Sequence, residues 1–202
     1  MKRRFLALGD SYTIGEGVGA SERWPRQLAA ALRAEGLSVA EPRIIARTGW
    51  TTDELLAAVD GATPPIAHDF DLVTLLIGVN DQYRGLGVGS FQSGFEALLR
   101  RAIEFGAMQP RRVVVVSIPD WSVTPFAAQD PRNRAAIAAE IDQFNAVARE
   151  NAGQAGAAFV DVTVDSRRAA HDSTLLSADK LHPSATMYAS WVQLILPHAR
   201  RI

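Results

Sequence analysis

Two short apolar runs constrain this chain more than any other feature: residues 72–77, apolar but for Thr74, and Val113-Val114-Val115-Val116. A strand with one wet face alternates polar and apolar residues, whereas an unalternating run of strand length belongs to a parallel strand covered on both faces. Other segments supply more strands and the covering helices. Residues 4–8, 43–46 and 157–162 also read as strands. Residues 24–35 put Trp24, Leu28, Ala31 and Leu32 on one helical face, with Gly36 as the stop. Thr51-Thr52-Asp53-Glu54 is a capping box, in which Thr51 and Glu54 satisfy each other's free amides, and it opens a helix to residue 59. Residues 90–105 carry Phe91, Phe95, Leu98, Leu99 and Ile103 in helical phase before Gly106. Asp130-Pro131 reads as N-cap and first residue of a helix carrying Ile137, Ile141, Phe144 and Ala148. A last helix at residues 184–196 is expected to stop at Pro197.

Strands alternating with helices predict an α/β chain, a three-layer αβα sandwich with a mostly parallel five-stranded sheet. At 202 residues and 48% apolar, with no repeat, low-complexity tract or linker, residues 1–202 are expected to form one domain. A formal charge of -1 and the lack of a basic block argue against a nucleic-acid partner. The absence of cysteine removes disulfides, thiol nucleophiles and thiolate metal sites together. Met1-Lys2-Arg3-Arg4 has the basic start of a signal peptide, but Gly9-Asp10 cuts the apolar run short of the roughly 7–15 residues required. No run reaches the ~20 residues of a membrane span, so a cytoplasmic chain without a membrane span is expected.

Ligands of such sheets bind beyond the carboxyl ends of the strands. Ser11 follows the first strand, Gly49 the second, Asn80 the third, and Asp120-Trp121 the fourth, so all converge on that edge. A serine hydroxyl needs a base. Of His68, His171, His182 and His198, only His182 has a carboxylate placed to orient it: Asp179, three residues earlier, can accept from Nδ1 and leave Nε2 for Ser11. His68 precedes the third strand, at the wrong edge, and His171 and His198 stand in polar, exposed settings. Pro183 biases His182 toward extended backbone, which projects the ring off its loop. The Ser11 and Gly49 amides and the Asn80 side chain would supply an oxyanion hole. Taken singly, Ser11 also fits a turn serine, Asp179-x-x-His182 a capped loop, Gly49 a left-handed turn, and Gly78-Val79-Asn80-Asp81 an Asx-turn. Their coincidence at one edge favours the acyl-transfer site.

The set Gly9-Asp10-Ser11, Gly49-Trp50-Thr51, Gly78-Val79-Asn80-Asp81 and Asp179-Lys180-Leu181-His182-Pro183 resembles the four blocks of the SGNH hydrolases, or GDSL esterases and lipases, in order over residues 9–183. The resemblance implies the flavodoxin-like SGNH hydrolase fold, Ser11 as nucleophile, His182 as base, Asp179 as its orienter, and Ser11, Gly49 and Asn80 in the oxyanion hole. It implies a small-molecule ester substrate, an acyl-enzyme intermediate, and no cofactor or metal. Two positions depart from the pattern: Tyr12 stands where the motif's name has leucine, and Trp50 is bulky beside the glycine.

Trp50, Tyr83, Trp121 and Phe126 are expected to form an apolar pocket, and such rings suit a short acyl or acetyl group. The glycine-rich segments 12–20 and 82–89 read as loops lining the site; Gly15-Glu16-Gly17-Val18-Gly19 lacks the spacing of a dinucleotide loop. Two other readings use the same residues. A metal-dependent phosphoesterase would gather Asp10, Asp81, Asp179 and His182 around a cation, but it is short of ligands. A non-catalytic ligand-binding module has no need of Ser, His, Asp and Asn together.

Overall fold

The five strands form a single parallel sheet in the order β2-β1-β3-β4-β5: β1 Phe5–Gly9, β2 Arg43–Ala46, β3 Leu72–Leu76, β4 Val113–Val116 and β5 Ala158–Val160. The structure is a computed structural model that describes residues 2–201. Met1 and Ile202, the ends of the expected domain, lie outside the described residues. Burial follows the apolar runs. Every residue of β1, β3 and β4 is buried, whereas the edge strands β2 and β5 are mostly half-buried.

Helices cover both faces. On one, α2 (Trp24–Ala34) packs on α8 (Ala185–Ala199), and Trp24 of the first and Tyr188 and Trp191 of the second are buried. On the other, α3 (Thr52–Asp60), α5 (Val88–Phe105) and α6 (Arg134–Ala155) pack in succession, and Phe91 stacks on Phe144 with ring centroids 4.6 Å apart. The short helices α1 (Ser11–Ile14), α4 (Val79–Tyr83) and α7 (Thr163–Ser166) follow β1, β3 and β5 at the carboxyl edge. Strand order reverses between β1 and β3, the crevice where such sheets bind ligands.

Several boundaries differ from the sequence expectation. Helix α6 is capped by Asn133, whose side chain accepts from the Ala135 amide, and not by Asp130. The Asp130 carboxylate is instead held by the Arg132 amide and guanidinium. Pro197 does not end α8, which runs on to Ala199. A proline forfeits only its own bond to the carbonyl four residues back, here that of Gln193 in the last turns of α8, so the helix can continue past it for a few residues. Val88 and Gly89, read as loop, form the first turn of α5, and Ser11–Ile14 replaces the start of the other loop with a helical turn.

Candidate active site

The site begins where β1 stops. Asp10 caps α1 by accepting from the Tyr12 amide at 3.0 Å, so Ser11 opens a helical turn. An amide in a first turn has no partner within its helix. Among the described residues no backbone hydrogen bond takes up the Ser11 amide. Ser11 Oγ lies 2.9 Å from His182 Nε2, and His182 Nδ1 lies 2.7 Å from Asp179 Oδ2. The carboxylate partner fixes the proton on Nδ1 and leaves Nε2 to accept from the serine.

His182 lies in a bend of the chain that backbone pairing holds in place. Its carbonyl accepts from the Ser177 amide at 2.7 Å, and Leu176 bridges Pro183 antiparallel. Asp179 Oδ1 accepts from Ser177 Oγ and from the Leu181 and His182 amides at 2.7–2.9 Å. Partial burial pushes the Asp179 carboxyl up, but the His182 ring and these donors outweigh it and hold its pKa at about 2. Asp179 is therefore ionised whenever the chain is folded near neutrality. The expected loop at residues 15–19 does not line the cavity; it packs against residues 177–179, where a Cβ on Gly17 would fall 2.4 Å from Ser177 Oγ.

Gly49 sits in a tight turn closed by the Trp50 amide on the Arg47 carbonyl, with φ 85°, a conformation that favours glycine. Asn80, in α4, donates one amide hydrogen to the Trp50 carbonyl at 2.9 Å and has another to give. Ser11, Gly49, Asn80 and His182 all border one cavity of about 130 Å³. Its apolar side is Tyr12, Val79, Tyr83, Trp121, Phe126 and Leu181. Trp50, expected there, is not part of this lining; its side chain packs against the core.

Tyr12, the departure from the leucine of the motif, is buried against His182, with ring centroids 5.4 Å apart. Trp121 is fixed by its Nε1 donating to Gln82 Oε1 at 2.9 Å, while Gln82 Nε2 donates to Glu140 at 2.6 Å. Arg132 lies over the Tyr83 and Trp121 rings, 5.8 and 5.6 Å from their centroids.

The other histidines are elsewhere. His68 stands edge-on to Phe105 ahead of β3, and His171 is exposed. His198, expected to be exposed, is half-buried, and burial, with Arg201 adding, pushes its pKa down. The carboxylates that a cation would need are spent on local work. Asp81 accepts from the Thr52 hydroxyl and amide, and Asp10 from Tyr12. No group of three or more His, Asp or Glu is gathered as cation ligands among the described residues. Nor is any helix among them long and apolar enough to cross a membrane.

Sequence reasoning missed Ser177, Gln82 and Arg132, whose parts depend on contacts the motifs do not encode. Only proximity to the motifs, Ser177 two residues before Asp179 and Gln82 two after Asn80, carried any signal.

The model of the GDSL-like lipase/acylhydrolase family matches residues 7–189. The chain belongs to that family. It is a carboxylic ester hydrolase. No curated protein sequence matches this GDSL-like chain. Among solved structures it is similar to a lipase from a goat rumen metagenome, with 19% identity over 98% of each chain and a TM-score of 0.74. The lipase/acylhydrolase from Enterococcus faecalis is 21% identical over 98% of this chain and 96% of its own, with a TM-score of 0.73. A psychrotrophic esterase from Pseudoalteromonas sp., in a structure inhibited by monoethylphosphonate, is 19% identical over 99% and 98%, with a TM-score of 0.70. At these identities the likeness concerns the fold.

Proposed function

We propose that this GDSL-like hydrolase cleaves esters of short acyl groups, acetyl among them, through an acyl-enzyme on Ser11. His182 Nε2 takes the Ser11 Oγ proton as Oγ attacks the ester carbonyl carbon. The carbonyl oxygen becomes an oxyanion that accepts from the Ser11 and Gly49 amides and the Asn80 side chain. Collapse breaks the bond to the leaving oxygen, which receives the proton from His182. Water then repeats the sequence: His182 takes its proton, the hydroxide oxygen attacks the acyl carbon, and Ser11 Oγ leaves with the proton returned. Asp179 stays ionised and steadies the imidazolium in both halves.

The single observation that carries this reading is the continuous relay of Ser11, His182 and Asp179, with links of 2.9 and 2.7 Å, opening on a cavity that Gly49 and Asn80 also border. Ser11→Ala is expected to lower turnover of p-nitrophenyl acetate by about 10⁴-fold or more while the thermal unfolding profile is kept. A fluorophosphonate should label wild-type Ser11 and no other residue, as read by peptide mass spectrometry. Label on a different serine, or near wild-type turnover in the variant, would remove Ser11 from the role.

A further inference from the structure

The oxyanion loop presents a physical difficulty. The amide that has to be fixed in space belongs to Gly49, the residue type with the least intrinsic backbone stiffness. Preorganised donors act because they need no reorganisation when charge develops, so a swinging amide forfeits much of the effect. Something outside the glycine must therefore hold it.

Asn80 and Arg84 stand four residues apart at α4 and its C-cap, which places them on one face. Both reach the same loop. Asn80 Nδ2 donates to the Trp50 carbonyl at 2.9 Å, and Arg84 Nη2 donates to the Gly49 carbonyl at 2.5 Å. The guanidinium also meets Glu54, 3.3 Å from its Oε2. That carboxylate accepts from the Thr51 amide at 2.9 Å, closing the capping box of α3. The turn is thus gripped at three successive residues, Gly49, Trp50 and Thr51, and Arg84 joins the two ends of the grip. An exposed Arg–Glu pair contributes little to stability by itself. Its consequence here is orientational: the peptide carrying the Gly49 amide is spanned by the Trp50-to-Arg47 turn bond, and the peptide after Gly49, which anchors that turn, cannot rotate without breaking a charge-assisted hydrogen bond.

We infer that Arg84, backed by Glu54, is a positioning residue for the ester hydrolysis, clamping the Gly49 carbonyl so that the Gly49 amide stays aimed at the oxyanion. The inference rests on the oxyanion role proposed above for Gly49. Arg84 touches neither the ester nor the reacting atoms, so its effect lies in the transition state and not in ground-state binding.

The test compares wild type, Arg84→Ala and Arg84→Lys with p-nitrophenyl acetate and with an alkylboronic acid, whose tetrahedral adduct on Ser11 places an oxygen in the hole. Removing a donor outright typically costs about 10²–10³ in kcat, so loosening one is expected to cost about tenfold to a hundredfold. KM should stay within about twofold, and the boronate Ki should rise by the same factor as kcat falls. Lysine can serve the Gly49 carbonyl or Glu54 but not both in the same geometry, and its kcat is expected between the other two. Should Arg84→Ala fail to fold, Arg84→Lys carries the same comparison. Wild-type kcat, a change confined to KM, or an unaltered boronate Ki would overturn the inference. Fluorophosphonate labelling separates the two claims. If wild-type Ser11 is labelled and the Arg84 variants are unimpaired, only the clamp fails; if wild-type Ser11 is not labelled, the proposed reaction fails with it.

Discussion

Asp10 is wholly buried next to Ser11, with Oδ1 accepting from the Tyr12 amide and Oδ2 meeting no hydrogen-bond partner among the described residues. Burial pushes its carboxyl up from the ordinary 3.8 to about 8, with Asp81 adding to the rise and the Tyr12 amide opposing it. A carboxyl whose folded pKa is raised holds a proton that the unfolded chain has lost. Between pH 3.8 and about 8, stability therefore declines as pH rises, and the contribution present below 3.8 is gone above about 8. Asp179 works in the opposite sense. Its folded pKa of about 2 gives stability that is present above 3.8 and lost as pH falls toward 2. Asp10→Asn keeps an oxygen able to cap α1 and carries no charge. The variant is expected to unfold in urea with a shallower fall in stability between pH 4.5 and 8 than wild type, the two curves diverging as pH rises. Parallel curves would show that Asp10 is ionised in the folded chain.

At the scale of elements, legibility tracked how much of the decision was local. The unalternating runs placed β3 and β4 to within a residue, because burial on both faces leaves no other pattern. Thr51-Thr52-Asp53-Glu54 placed the start of α3, because both halves of a capping box lie within four residues: Thr51 accepts from the Glu54 amide, and Glu54 from the Thr51 amide. Asp130-Pro131 misplaced α6 because the choice was tertiary. Arg132 draws the Asp130 carboxylate while donating to the carbonyls of Gln82 and Tyr83 across the site. For α3 a direct check follows. Thr51→Ala removes the capping oxygen and is expected to cost about 1 kcal/mol, within the usual range of about 0.5–2, in urea unfolding. Thr51→Ser should restore most of it. An alanine variant as stable as wild type would mean that the box does not hold this helix.

Across the whole molecule, the meeting of Ser11, Gly49 and Asn80 was legible because each follows a strand end and a parallel sheet brings strand ends together, whereas Asp179 and His182 lie well past β5 and were legible from their three-residue spacing alone. The pocket was less so. Trp50 turns inward to the core, whereas Tyr83, Trp121 and Phe126 form the wall, and nothing in the spacing separates those fates. That wall bears on the acyl group. The cavity of about 130 Å³ lies below the roughly 300–1,000 Å³ of pockets that enclose drug-sized ligands. The wall is also braced: Trp121 is tied to the buried Gln82, and Arg132 lies across Trp121 and Tyr83. A longer acyl chain would have to displace this network or lie along the open mouth beside Tyr83, which is 46% exposed. A single methylene is worth about tenfold or more where a pocket discriminates. With p-nitrophenyl acetate, butyrate, octanoate and palmitate, kcat/KM is expected to be highest for acetate or butyrate and at least about tenfold lower for octanoate. A steady rise toward octanoate or palmitate would mean that the wall yields, and that the acyl group this enzyme accepts is long.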